Sequence, residues 1–220
     1  MNRLTPTEEN YLKAVYVLSG DAAGKVPNRA VAGRLGINPA TVTEMIRKLR
    51  SKRLIDYSRA QGVRLTRRGN AIALQIVRKH RLWETFLAQA LGFSWDEVHE
   101  IAEQSEHLQS EKLVERLDRF LGHPAFDPHG DPIPDRNGRL PSSHALPLSE
   151  RTIGKGYRLV GISDHSPGFL KLLNKLNLAI NDVIDLTDIQ DFDKSMDIVV
   201  REKGRRTLSH EVCCNLLVVS

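Results

Sequence analysis

The chain has 220 residues, 40% of them hydrophobic and 27% charged, an ordinary globular composition. No apolar run approaches the roughly 18 residues that span a membrane. The opening MNRLTPTEEN carries no apolar signal-peptide core, so a cytoplasmic protein without a membrane partner is expected. The net charge of +5 is unevenly spread: residues 1–70 hold 14 Lys and Arg against 5 Asp and Glu, residues 71–140 hold 8 against 12, and residues 141–220 hold 10 against 10. A basic front beside an acidic middle points to a polyanion-binding module joined to a segment that can hold cations.

In chain order, Thr5-Pro6-Thr7-Glu8 is a capping box with proline at the first helical position. Tyr11, Leu12, Val15, Tyr16 and Leu18 give that helix its apolar face, and Gly20 and Gly24 flank the turn after it. "NRAVAGRLGI" (28–37) predicts a short helix ended by Gly36. Asn38-Pro39 opens the next helix, with Val42, Ile46 and Leu49 as its buried stripe. "IDYSRAQGVRLT" alternates at Ile55 and Tyr57, turns at Gln-Gly, and alternates back through Val63 and Leu65, which predicts a hairpin. Helix, short helix, tight turn, helix and two-stranded wing make a winged helix-turn-helix. The start of its second helix is lined by Asn38, Pro39, Ala40, Thr41 and Thr43, small enough to enter a major groove. Arg47, Lys48, Arg50, Arg59 and Arg64 follow with little acidic interruption and suit phosphate contacts on double-stranded DNA. A solvated basic face is the alternative for this charge run.

Residues 66–91 read as one long helix with Gly92 at its end, and Ser94-Trp95-Asp96-Glu97 as a capping box for the next. Leu113, Leu117, Phe120 and Leu121 share one face of a third helix stopped by Gly122. Three helices are few for an independent core, so pairing with a second copy is expected. Residues 123–149, rich in proline, read as a loop or linker. "YRLVGIS", "VIDLTDI", "MDIVVRE" and "VCCNLLVV" read as strands of a small barrel, with "SPGFLKLLNKLNL" a helix among them. The adjacent Cys213 and Cys214 offer no disulfide framework.

The stretch "VHEIAEQSEHLQSEKL" places Glu103, Glu106 and His107 three and four apart, on one face if helical. Two carboxylates and an imidazole suit a divalent first-row metal. A solvated acidic face is the plainer reading of the same residues. Further donors lie nearby in sequence: His80 and Glu84 four apart on the long helix, His99 one turn before Glu103, and Asp127 and His129 in "FDPHGDPIP". No HExxH, CxxC, GxGxxG, P-loop or GxSxG pattern is present, and no catalytic residue is expected.

Taken together, "TEENYLKAVYVL", "NPATVTEMIRKLRSKRLI", "LTRRGNAIALQIVRKHRL" and "VHEIAEQSEH" resemble, in order and spacing, the diphtheria-toxin-repressor/MntR family of metal-dependent transcriptional regulators. The resemblance covers nearly the whole chain. It implies a mainly α protein with a small β part: a winged helix-turn-helix (1–70), a helical metal-binding and dimerisation domain (71–140), a linker (141–150) and an SH3-like, FeoA-type domain (151–220). Carried over by residue, Glu103, Glu106 and His107 match the family's primary metal motif, where glutamate at 103 resembles the manganese branch rather than the iron branch. Asn10 stands where the family has an Asp or Met ligand, an uncharged departure. His80, Glu84 and His99 match ancillary positions. Asp127-Pro128-His129 resembles a Cys-Pro-His element of longer manganese-type members, with Asp in place of Cys. Asp164 lies near where such members donate a carboxylate from the C-terminal domain. The implied function is a homodimeric, metal-activated repressor that binds an operator, with Mn(II) as effector and Fe(II) as the alternative. The competing reading is a winged-helix regulator that answers a small organic effector and has no functional metal site.

Overall fold

The computed structural model describes residues 4–20, 24–59 and 61–220. They form two compact units, and the division runs within the helices of the middle segment. The turn expected between Gly20 and Gly24 lies largely outside the described residues.

The first unit comprises residues up to His80, Glu103–Val114 and Pro134–Leu140. It opens with α1 (Pro6–Ser19), where the Thr5 hydroxyl accepts from Glu8 N and the Glu8 carboxylate accepts from Thr5 N. Helices α2 (Asn28–Leu35) and α3 (Pro39–Ser51) follow, then the wing strands β1 (Ile55–Ser58) and β2 (Gly62–Leu65). Between α2 and α3 the chain must reverse within three residues. Gly36 does this at φ 64°, a left-handed conformation that costs other residues more. Asn38 then caps α3 by accepting from Ala40 N at 2.9 Å. The wing pairs antiparallel, Ile55 opposite Leu65, and Val26 bridges to Val63 outside it. Leu12 and Val15 of α1, Val31 of α2, Val42, Ile46 and Leu49 of α3, and Ile55 and Val63 of the wing close one core with Ile76 and Val77 of α4 (Arg67–Leu91).

The second unit comprises Arg81–Ala102, Glu115–Ile133 and Pro141–Ser220. Leu87 of α4 packs on Val98 and Ala102 of α5 (Val98–Ser105). Helix α6 (Glu111–Phe120) leaves Phe120 69% exposed and Leu113 38% exposed. The C-terminal part is a six-stranded antiparallel sheet in the order β3-β8-β4-β5-β6-β7. Its strands are β3 (Leu146–Pro147), β4 (Gly156–Ile162), β5 (Val183–Ile189), β6 (Met196–Val200), β7 (Gly204–Leu208) and β8 (Leu216–Val219). Helix α7 (Pro167–Lys175) covers it with Phe169, Leu170 and Leu173.

Four elements differ from expectation, the first being β3, which pairs with β8 inside the stretch read as linker. Helix α5 stops at Ser105, so Glu106 and His107 sit in the turn beyond it rather than on a helix face. "VCCNLLVV" is half helix: α8 (His210–Asn215) is capped by the Ser209 hydroxyl, and only Leu216–Val219 is strand. Strand β7 was missed because its GRRTL has the charge of a solvated edge strand and little alternation.

Candidate metal centres and DNA interface

Around the predicted primary motif, a lysine stands among the carboxylates. Lys13 Nζ of α1 donates to Glu106 Oε2 at 2.7 Å and to Glu103 Oε1 at 3.0 Å. His80 Nδ1 lies 2.7 Å from the same Glu106 oxygen. His107 turns toward α1, with Nδ1 2.7 Å from Glu9 Oε2, and Gln109 Nε2 donates to the other Glu9 oxygen at 2.8 Å. Burial would raise the pKa of Glu106, but the His80 contact and the Lys13 charge outweigh it and hold the carboxyl below its usual range. Two oxygens here, Glu106 Oε1 and Asn10 Oδ1, are buried without a hydrogen-bond partner. The sequence reading expected Glu103, Glu106 and His107 to converge on a cation. Instead, their ligand atoms do not gather within 4.8 Å of one another. The helix ends too early, and Lys13 already occupies the space between the carboxylates. His80 meets this cluster through Glu106, and it also offers a ligand atom within 4.8 Å of those of Glu84 and His99, the three residues matched to ancillary positions.

A second cluster does converge. Glu84, Asp127 and His129 each offer a ligand atom, all within 4.8 Å of one another, and are exposed only 3%, 6% and 2%. Donors each about 2.1 Å from a metal sit roughly 3–4 Å apart, so little movement is needed. The loop 127–133 is built to hold this arrangement. Asp127 Oδ1 accepts from His129 N at 2.8 Å and Asp131 N at 3.0 Å, an Asx turn. Gly130, at φ 86°, lies against β4, where a Cβ would come within 2.1 Å of Val160 O. The His129 carbonyl accepts from Ile162 N at 3.0 Å.

The His129 ring shows which nitrogen is available. Its Nε2 lies 2.7 Å from the Trp95 carbonyl, which can only accept, so Nε2 carries the proton. In the neutral ring Nδ1 then has a free lone pair, and it faces Glu84 Oε2 at 3.9 Å. His99 Nδ1 lies 3.2 Å from Glu84 Oε1 on the more exposed side. Charge is unbalanced in this cluster. Arg81 Nε is 3.7 Å from Asp127 Oδ2, and Arg81 Nη2 donates to Asp131 at 3.2 Å. Even so, burial, helped by the charges of Glu84 and Asp131, pushes the Asp127 carboxyl well above its usual pKa. Its Oδ2 is buried without a hydrogen bond. A buried group of carboxylates short of positive charge is what a divalent ion would complete. Oxygen and imidazole donors with no thiolate fit Mn(II) or Fe(II).

Asp164 is not in this cluster; it accepts from Ser166 N at 2.8 Å within its own turn. Its neighbour His165 borders the cluster, with Nε2 3.5 Å from Asp131 Oδ2 and its ring edge-on to His129 at 5.3 Å. Sequence reasoning missed His165 and Asp131, which carry no motif. It also missed Lys13, although a lone charge inside the apolar run Tyr11–Tyr16 was a visible signal.

On the winged helix, Pro39, Ala40 and Thr41 are exposed at the start of α3, with Asn38 capping and the Thr43 hydroxyl bonded back to Pro39 O. Arg47, Arg50 and Arg59 are exposed. Lys48 is half exposed and 3.3 Å from Glu8, and Arg64 pairs with Asp56 at 3.0 Å, so these two already have anionic partners.

Comparison with known proteins matches residues 3–63 to an iron-dependent-repressor N-terminal DNA-binding domain. Residues 66–135 match an iron-dependent-repressor metal-binding and dimerisation domain, and residues 146–220 a FeoA domain. The iron-dependent repressor IdeR of Mycobacterium leprae is 34% identical over 84% of this chain and 78% of its own length. IdeR of Mycobacterium tuberculosis is 37% identical over 61% of this chain, a match spanning 58% of that protein's length. A solved manganese-dependent transcriptional repressor in complex with manganese superposes with a TM-score of 0.86 at 34% identity, covering 97% of this chain and 99% of that one.

Proposed function

Because this chain belongs to the iron-dependent-repressor family, we propose that it is a cytoplasmic, metal-activated transcriptional repressor that binds operator DNA as a homodimer and serves metal homeostasis. The effector is Mn(II), with Fe(II) as the alternative. The observation that carries this reading is the buried convergence of Glu84, Asp127 and His129. When bound, the ion supplies the positive charge that these carboxylates lack.

The chain's own residues do the rest. Trp95 O fixes the His129 tautomer, the Asx turn holds Asp127, and β4 braces the loop through Ile162 N. Glu84 lies on α4, which starts directly after the wing, so ligand at Glu84 acts on the helix that leads out of the DNA-binding fold. The metal can favour DNA binding only through a higher affinity for the DNA-competent arrangement. Exposed Ala40 and Thr41 would meet base edges, and Arg47, Arg50 and Arg59 phosphates. The exposed Leu91, Phe93 and Phe120 would be covered by the second copy.

The test is DNA binding by chelator-treated protein on addition of Mn(II). His129→Ala and Glu84→Gln should weaken metal-stimulated binding more than tenfold and leave weak, salt-sensitive binding in place. A full Mn(II) response in His129→Ala would overturn the assignment of this centre.

A further inference from the structure

The first cluster holds three carboxylates, Glu9, Glu103 and Glu106, and a cation is already among them. Lys13 is 9% exposed, and its ammonium touches residues 90 and 93 positions further along the chain. In the family resemblance, Asn10 of the first helix and Glu103, Glu106 and His107 stand at ligand positions of one metal, so a divalent ion would make that link. We propose that Lys13 is a tethered cation standing in for a metal in this cluster. It latches α1 to the end of α5 without any ion, and leaves the Glu84–Asp127–His129 centre as the site through which metal acts.

Four features carry this. An ammonium has three donors and no acceptor, so while charged it competes with a metal and cannot ligate one. Its 2.7 Å contact lies on Glu106 Oε2, and an ion bound to that oxygen would sit in close, repulsive contact with it. The same oxygen is shared with His80, and His107 turns its Nδ1 to Glu9. Finally, the Glu106 side chain is fully buried and needs a partner in every state of the protein, which a covalently attached cation supplies at any metal concentration. The unpartnered oxygens of Asn10 and Glu106 are donors that an ion could use once Lys13 is gone. The choice of responsive site rests on the reading given under Proposed function; the assignment of Lys13 does not.

The experiment counts Mn(II) bound per chain by equilibrium dialysis, with folding checked by circular dichroism. The proteins are wild type, Lys13→Ala, Lys13→Arg, Glu103→Gln and Glu84→Gln. Lys13→Ala should gain one Mn(II) per chain over wild type, and its melting temperature, lowered in chelator, should recover with Mn(II). Lys13→Arg should gain none. Glu103→Gln, made at a half-exposed side chain, should bind as many ions as wild type. Loss of an ion in Glu103→Gln, or no gain in Lys13→Ala, would overturn the proposal. Should Lys13→Ala fail to fold, Glu103→Gln decides alone. Should wild type bind no Mn(II), the reading of the second centre falls, and the difference between Lys13→Ala and wild type still decides on Lys13.

Discussion

Glu8 shows how strongly one residue can be tuned by its neighbours. It completes the capping box of α1 and at the same time accepts from Lys52 Nζ at 2.6 Å. Burial works to raise its pKa, but the Lys52, Thr5 and Lys48 contacts prevail and bring it down to about 2. A carboxylate with a depressed pKa in the fold stabilises fully above its unfolded value, near 4.5, and that contribution is lost as pH falls from there toward 2. Glu8→Gln should therefore cost about 2 kcal/mol at neutral pH. It should also flatten the fall in urea midpoint between pH 4.5 and 2. An unchanged acid limb would show that Glu8 is not responsible for it. Residues were legible in the sequence when a rule of spacing or the family resemblance named them, the former for Thr5, Glu8, Asn38 and Glu84, the latter for Asp127 and His129. Lys13, Asp131 and His165 were not, because their roles come from which segments meet, and no spacing encodes that.

At the scale of elements, helices with an apolar stripe and either a side-chain cap or a glycine stop were readable: α1 has both, in Thr5 and Gly20, α2 ends at Gly36, and α3 and α7 open on the caps Asn38 and Ser166. The end of α5 was not, since neither glycine nor proline marks it. Instead, Glu106 leaves the helix to meet Lys13 and His80. The run "VCCNLLVV" suits a buried helix or strand equally, and the Ser209 cap decides for helix over its first half. The face of α6 is proposed as the dimer interface, for Phe120 is 69% exposed and its ring stands edge-on to Phe86 at 5.8 Å. Phe120→Asp should shift the protein from dimer to monomer in sedimentation velocity, by weakening association at least tenfold, with little loss of chain stability. A dimer of unchanged strength would place the interface elsewhere.

Across the whole molecule, the charge division seen in the composition follows the division of labour proposed for it. The basic residues 1–70 make the winged helix with its exposed arginines, and the acidic middle supplies most of both carboxylate clusters. The two clusters differ in how their charge is met. One contains its own cation in Lys13, whereas the other, despite Arg81, remains short of one. On the proposed reading, such a protein keeps its first helix fastened without metal and answers metal through the 127–133 loop. The most direct measurement is fluorescence anisotropy on a DNA site selected from a random pool with Mn(II) present. The chelated protein would be titrated against it with and without Mn(II) at fixed salt. The account predicts at least a hundredfold tighter binding with Mn(II), equivalent to about 2.7 kcal/mol of coupling. Equal affinity with and without metal would contradict it and leave a winged helix whose buried carboxylates serve only the fold.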